Sequence, residues 1–150
     1  MTDSVGKSLI EIAKVVLQTE ADSVLALKDR IDNNFDKVCN TLKSCRGKVI
    51  LIGMGKSGHI AKKISSTLAS TGTPSFFLHP GEAGHGDLGM VTRDDVVIMI
   101  SYSGEADEIV ALLPGIKRMN APIISLTGNV KSSIAKSSDF HLDVSVDKEA

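Results

Sequence analysis

Four short polar stretches hold the residues able to do chemistry: Gly53 to Ser57, His79 to His85, Ser101 to Glu105, and Thr127-Gly128. Three of them carry hydroxyls, at Ser57, at Ser101 with Ser103, and at Thr127. Hydroxyls, backbone N–H groups and helix N-termini all favour an oxyanion, so such a rim suits a phosphate. The stretch GMGKSGHI (53–60) admits three readings. A P-loop needs a glycine five residues before Gly55, and that position is Ile50, so the Walker pattern fails. A dinucleotide fingerprint has its glycines in Gly53, Gly55 and Gly58, but it also wants an acidic residue near the end of the next strand. Here that strand ends in Leu78-His79-Pro80, with Glu82 beyond it in the loop. The third reading, a sugar-phosphate site, draws on SYSGEADE (101–108). Ser101 and Ser103 flank a turn, Gly104 permits close backbone approach, and a helix is expected to begin at once. The plain alternative is that Ser103 only caps that helix, with Ala106 at its third position.

These loops need a frame. Residues 5 to 44 read as helix, with Ser4 or Asp3 able to cap its start. Leu9, Ile12, Ala13, Val16, Leu17, Val24, Leu27, Ile31, Phe35, Val38 and Leu42 recur at spacings of three and four and form one stripe. A break is expected near Asp32-Asn33-Asn34, residues that favour turns and caps. Part of the stripe can cover a sheet, and the rest is left for another subunit. Strands are expected at 48–53, 74–78, 95–101, 121–128 and 140–144. Between them lie a helix over 57–70 with Ile60, Ile64, Leu68 and Ala69 inward, and a glycine-rich loop over 79–90 with room for one helical turn. A helix over 105–119, interrupted near Pro114, and a short one near 131–137 complete the pattern. Alternating strands and helices imply a three-layer αβα sandwich around a five-stranded parallel sheet. In such sheets ligands bind outside the carboxyl ends of the strands, where all four polar loops fall.

Bulk composition narrows the field. The 150 residues suffice for one domain, expected as a helical N-terminal segment (1–45) and a sheet core (46–150). With 42% hydrophobic and 23% charged residues, a soluble globular protein is expected. Seventeen basic against eighteen acidic residues leave a formal charge of −1, which argues against a nucleic-acid or anionic-membrane surface. Aromatics at 3% with no Trp make base-stacking platforms a poor fit. No apolar run approaches the roughly 18–20 residues that span a bilayer, and no basic segment followed by an apolar one marks a secretory signal. Cys39 and Cys45 have no partner at zinc-site spacing, so two reduced thiols and a cytoplasmic location are expected. His59, His79 and His141 read as packing or surface residues, and a His79/His85 metal pair lacks a third ligand at telling spacing, so no metal is expected.

GMGKSGHIAKKISSTLASTGTPSFF, HGDLGMV and SYSGEADEI resemble the sugar isomerase (SIS) domain, and specifically that of the arabinose-5-phosphate isomerases. The similarity runs from about residue 5 to the end. It implies interconversion of ribulose 5-phosphate and arabinose 5-phosphate through an enediol, for lipopolysaccharide or capsule sugars. It also implies no nucleotide or other cofactor, and a homotetramer. By this resemblance Ser57, Ser101 and Ser103, with Gly104, match the phosphate-holding positions, and Lys56, His85 and Glu108 match residues implicated in isomerisation. Lys56 could be a solvated lysine, but its place in the turn after a buried strand, at the expected ligand edge, favours function. His85 sits among glycines, where a core role is awkward. Read without the resemblance, Glu108 is a complement to a helix dipole. Many SIS domains carry Thr where this chain has Ala106, so one phosphate donor is missing. Family chains also continue past a segment like DKEA with more helix and a further active-site histidine, and many add two CBS domains. The expectation is therefore a SIS core without that C-terminal part. The alternative function is a SIS module that binds a sugar phosphate without turning it over.

Overall fold

A computed structural model describes residues 8–149 of the chain. They fall into two units, one of residues up to 31 with those from 146 onward, the other Asp32–Ser145. In the first unit, helix α1 (Leu9–Ala26) starts at Ser8, whose hydroxyl accepts from the Glu11 amide while the Glu11 carboxylate accepts from the Ser8 amide. This capping box replaces the expected start at residue 5; Ser4 and Asp3 lie outside the described residues. A 3-10 turn, Leu27–Arg30, follows. No residue of α1 is buried, and Leu9, Ile10, Leu17, Val24 and Leu25 are exposed.

The second unit opens at the expected break. Asp32 accepts from the Asn34 amide and caps α2 (Asn33–Lys43). Then come β1 (Val49–Gly53), α3 (Gly55–Ser70), β2 (Ser75–Leu78), α4 (Pro80–Gly84), a 3-10 turn (Asp87–Met90) and β3 (Val96–Ile100). The chain continues through α5 (Asp107–Val110), α6 (Leu113–Met119), β4 (Ile123–Thr127), α7 (Ser133–Ser137) and β5 (Phe140–Asp143). The five strands pair only in parallel, in the order β2-β1-β3-β4-β5. Both faces are covered, which is why β1 and β3 are apolar at nearly every position and buried throughout. Alternate residues serve opposite cores. Val49, Leu51, Val96, Ile98 and Ile124 pack with Val38 of α2 and Ala61 of α3, and Leu42 and Cys45 join their edge. Ile50, Ile52, Val97, Met99 and Ile123 pack with Ala83, Ile109, Ile116 and Ile134 of α4 to α7. The architecture is the three-layer αβα sandwich that the alternation of elements implies. Cys39 and Cys45 are free thiols.

Four local expectations change. Helix α3 begins at Gly55, not at 57, so Lys56 and Ser57 lie in its first turn. Its inward face is Gly58, Ala61 and Ser65, with Ile64 and Leu68 partly buried, while Ile60 and Ala69 are exposed. Gly58 sets that face, because a Cβ there would lie 2.8 Å from the Gly53 carbonyl oxygen. Ile60 sits about 200° further round the helix and so points away. The 105–119 helix divides at Ala111-Leu112, and Pro114 stands in the first turn of α6, where a missing N–H costs no hydrogen bond. The 79–90 loop folds into α4 and the 3-10 turn, with the His79 Nδ1 accepting from the Gly81 amide as N-cap.

The register of the two central strands is fixed at their amino ends by Asp95. Its buried carboxylate accepts from the Lys48 amide at 2.7 Å, the Thr92 amide at 2.8 Å and the Thr92 hydroxyl at 3.0 Å. Burial by itself would raise its pKa, but these hydrogen bonds and the Lys48 charge hold it below the ordinary carboxylate value. A group with a depressed folded pKa contributes stability above its unfolded value, about 3.9, and loses it as pH falls through the folded value. Asp95→Asn turns a donor toward the Thr92 amide and is expected to cost about 2 kcal/mol at pH 7, a fall of about 4–8 °C in Tm. Thermal melts of both proteins should converge as the pH drops below about 3.9. Equal melting temperatures at pH 7 would remove this role from Asp95.

Candidate functional site

The sheet order puts the chain's change of direction between β1 and β3. After β1 the chain crosses one face through α3 to β2, and after β3 it crosses the other through α5 and α6 to β4. The crevice outside the carboxyl ends of two such strands is where open α/β sheets take ligands. Gly53 pairs with Ile100, so the α3 start and the Ser101 turn leave the sheet side by side. At α3 the N-cap is Met54, and no side chain caps the helix. The first turn of this 16-residue helix, which carries Lys56 and Ser57, therefore has no side chain spending its amides at the carboxyl end of β1. The tight Gly53–Gly58 approach accounts for two of the three fingerprint glycines by strand–helix packing. The strand order also differs from the 3-2-1-4-5-6 order of dinucleotide folds.

Across the crevice, the turn after β3 is built from its own hydroxyls. Ser101 is buried, at 5% exposure, and its Oγ accepts from the Gly104 amide at 3.2 Å. Gly104 adopts φ +67°, the left-handed region a side chain resists, and a Cβ there would fall 2.1 Å from the Ser132 Oγ. Since the Gly104 N–H turns back to Ser101, the glycine shapes the turn and does not offer its amide outward. The Ser103 Oγ accepts from the Glu105 amide at 3.2 Å. It does not cap α5, whose N-cap is Ala106 without a side-chain bond. The expected capping role thus gives way to a local turn, because the helix starts two residues later than its sequence suggests. A hydroxyl that accepts one bond still has a proton to donate, so Ser101 and Ser103 remain donors for an anion.

The titratable residues lie on the loops and helix starts at this end of the sheet. Lys56 is exposed at the second position of α3, and Glu108 is exposed in the first turn of α5. His85 is exposed as the C-cap of α4, on the loop after β2, and its amide donates to the Gly81 and Glu82 carbonyls. Topology thus gathers Lys56, Ser57, Ser101, Ser103 and Glu108 on the two loops that flank the β1–β3 crevice, while His85 stands one strand further out. His79 is committed to capping α4 through Nδ1. His141 on β5 lies 2.9 Å through Nε2 from the buried Thr127 Oγ1, which also accepts from the Asn129 amide. Among the described residues no cluster of three or more His, Cys, Asp or Glu side chains is placed to hold a metal ion. Nor is any helix among them long and apolar enough to cross a membrane.

Sequence reasoning passed over the bonds that join the β3–α5 turn to the loop after β4. The Glu105 carboxylate accepts from the Ser133 amide at 2.8 Å, the Gly104 carbonyl from the Ile134 amide at 3.1 Å, and the Tyr102 carbonyl from the Gly128 amide at 2.8 Å. Nothing in the spacing of Glu105 and Ser133, 28 residues apart, announces that pair.

Comparison with known proteins identifies the domain. Residues 41–150 match the model of the SIS domain. The chain is 54% identical over 145 residues to the arabinose 5-phosphate isomerase KdsD of Escherichia coli K12, covering 97% of this chain and 44% of that protein. It is 51% identical over 150 residues to KdsD of Pseudomonas aeruginosa, covering 100% of this chain and 46% of that protein. The chain therefore spans less than half the length of the curated relatives it matches. Among solved structures, Escherichia coli CFT073 c3406 in complex with arabinose 5-phosphate superimposes with a TM-score of 0.82 at 45% identity, covering 95% of this chain and 78% of that one. The matched segment takes in β1, the Ser101 turn and every strand of the sheet, and the chain belongs to the SIS domain family.

Proposed function

We propose that this chain is the sugar-phosphate-binding and isomerising core of an aldose–ketose isomerase that interconverts ribulose 5-phosphate and arabinose 5-phosphate. One observation carries it: the uncapped first turn of α3 and the hydroxyl-built turn at Ser101–Gly104 open side by side at the β1–β3 crevice. Ser57, Ser101 and Ser103 donate to the phosphate there, and the positive end of α3 adds to its attraction. Gly104 supports the turn through its backbone conformation. The names of the relatives supply the sugar: KdsD proteins are arabinose 5-phosphate isomerases, and c3406 was solved with arabinose 5-phosphate.

With the phosphate held, the first two carbons of the sugar extend toward the exposed side chains around the crevice. Moving the carbonyl between C1 and C2 takes one proton from carbon beside the carbonyl and returns one to its neighbour. The enediolate between these steps carries its charge on oxygen. Lys56, in the first turn of α3, is the residue assigned to stabilise that oxygen. Glu108 and His85 are the two groups able to act as base and acid. The exposed leucines, isoleucines and valines of α1 support self-association, with a homotetramer the expected assembly. The two free cysteines fit a cytoplasmic location.

Purified chain supplied with ribulose 5-phosphate is expected to form arabinose 5-phosphate, followed by chromatography of the product. Lys56→Ala should lower kcat/KM by about 100-fold or more with an unchanged Tm, the scale set by loss of one oxyanion-stabilising group. Binding without turnover in the parent chain would leave a sugar-phosphate module and remove the isomerase.

Ser101→Ala and Ser103→Ala remove hydroxyls that touch the phosphate equally before and during reaction. Each is expected to weaken arabinose 5-phosphate binding about tenfold by calorimetry while kcat changes little. Unaltered affinity in both variants would move the phosphate elsewhere.

A further inference from the structure

Glu105 lies between the two hydroxyl-bearing halves of the SYSGE turn and the helix that follows, yet it belongs to neither group discussed above. Its side chain is exposed and reaches across β4 to the start of α7, where the Ser133 amide donates to Oε1 at 2.8 Å. The Ser132 Oγ accepts from the Ala135 amide, so the Ser133 amide at the first position of α7 is left to Glu105. The bond serves both partners: it gives that amide an acceptor, and it ties down the turn that Glu105 terminates. There the Gly104 carbonyl accepts from the Ile134 amide at 3.1 Å, and Gly104 sits so close to Ser132 that no side chain would fit. Ser103 in turn bonds the Glu105 amide. Main chain and side chain of two adjacent residues, Gly104 and Glu105, thus grip two adjacent amides of α7.

We infer that Glu105 is a positioning residue of the site: by holding the Ser133 amide it braces the Ser101–Gly104 turn against α7 and so fixes the orientation of the Ser101 and Ser103 hydroxyls toward a bound phosphate. The ligand half of this inference rests on the function proposed above; the brace itself does not. The Ser133 hydroxyl and amide, with Lys136 nearby, keep the Glu105 carboxyl below the ordinary carboxylate range, so it is a charged acceptor at neutral pH. An exposed carboxylate gives little to global stability. Its effect is therefore local, on the order of the turn it ends.

The test uses the full chain with Glu105→Ala and Glu105→Gln, the latter keeping an acceptor oxygen and the side-chain length. In the absence of ligand, hydrogen exchange of the Gly104, Ser133 and Ile134 amides should accelerate about tenfold in Glu105→Ala and return most of the way in Glu105→Gln. Melting temperatures should stay within about 2 °C, since surface changes of this kind are small in free energy. With arabinose 5-phosphate, Kd and KM should rise about tenfold in Glu105→Ala with kcat within about threefold, the signature of lost uniform binding. Unchanged amide exchange in Glu105→Ala overturns the brace. Faster exchange with unchanged Kd overturns its link to the ligand. A parent chain that binds no sugar phosphate overturns the proposed function and the ligand half, while the exchange measurement still decides the brace.

Discussion

The pairing of β1 with β3 is the constraint on which the rest of the molecule depends. Neither strand lies at an edge of the sheet, both are buried throughout, and their pairing places the two anion-friendly turns next to each other. A slip of one residue would exchange the faces of every side chain in the slipped strand. It would also move the α3 start along the edge by about 3.3 Å, out of step with the Ser101 turn. The register is held at the amino ends by the Asp95 carboxylate bonding the Lys48 amide, and at the carboxyl ends by Gly53 opposite Ile100. Close packing of Gly53 on Gly58 then forces α3 to begin at once, with its first amides aimed out of the sheet. Position of the site is thus a consequence of how the core is assembled.

Much of this was legible in the residues. The continuous apolar runs at Val49–Ile52 and Val96–Ile100 say that the strands are covered on both sides, and the alternation with helices says that they are parallel. The turn residues at Asp32 to Asn34 mark the helix break because an Asp side chain can cap the next helix, and it does. What was not legible is mostly a matter of distance along the chain. Ile60 has the spacing of a core residue, but the face of α3 is decided by Gly58 meeting a carbonyl of another element. Ser103 has the look of a cap, but α5 starts later because Glu105 is occupied by α7 and its amide by Ser103. Tertiary partners override local preference in both cases, and no single-sequence pattern encodes them.

Two carboxylates do comparable work at opposite ends of the sheet, by different physics. Asp95 is buried and accepts three hydrogen bonds, so its loss leaves two part-buried amides without their acceptor. Glu105 is exposed and accepts from α7, so water can replace it, and what is lost is order in a short loop and not folding energy. The first secures the frame and the second the turn set upon it. Separating frame from turn matters for a site of this kind. A phosphate dianion in reach of bulk water is bound by geometry, since each single hydrogen bond to it competes with one to solvent.

The same consideration explains why the hydroxyls sit on turns already tied down by other bonds. Ser101 accepts from the Gly104 amide and Ser103 from the Glu105 amide. With their lone pairs engaged by the backbone, the O–H groups have fewer directions left in which to point. A free serine on a mobile loop would have to surrender rotamer and backbone freedom on binding, at a cost that offsets most of the hydrogen bond it forms. Here much of that ordering is done when the chain folds, by a left-handed glycine, a main-chain bond to Ile134 and a carboxylate 28 residues from its partner amide. On the proposed function, a phosphate held by these turns is the handle by which a small sugar is oriented toward the exposed Lys56, His85 and Glu108.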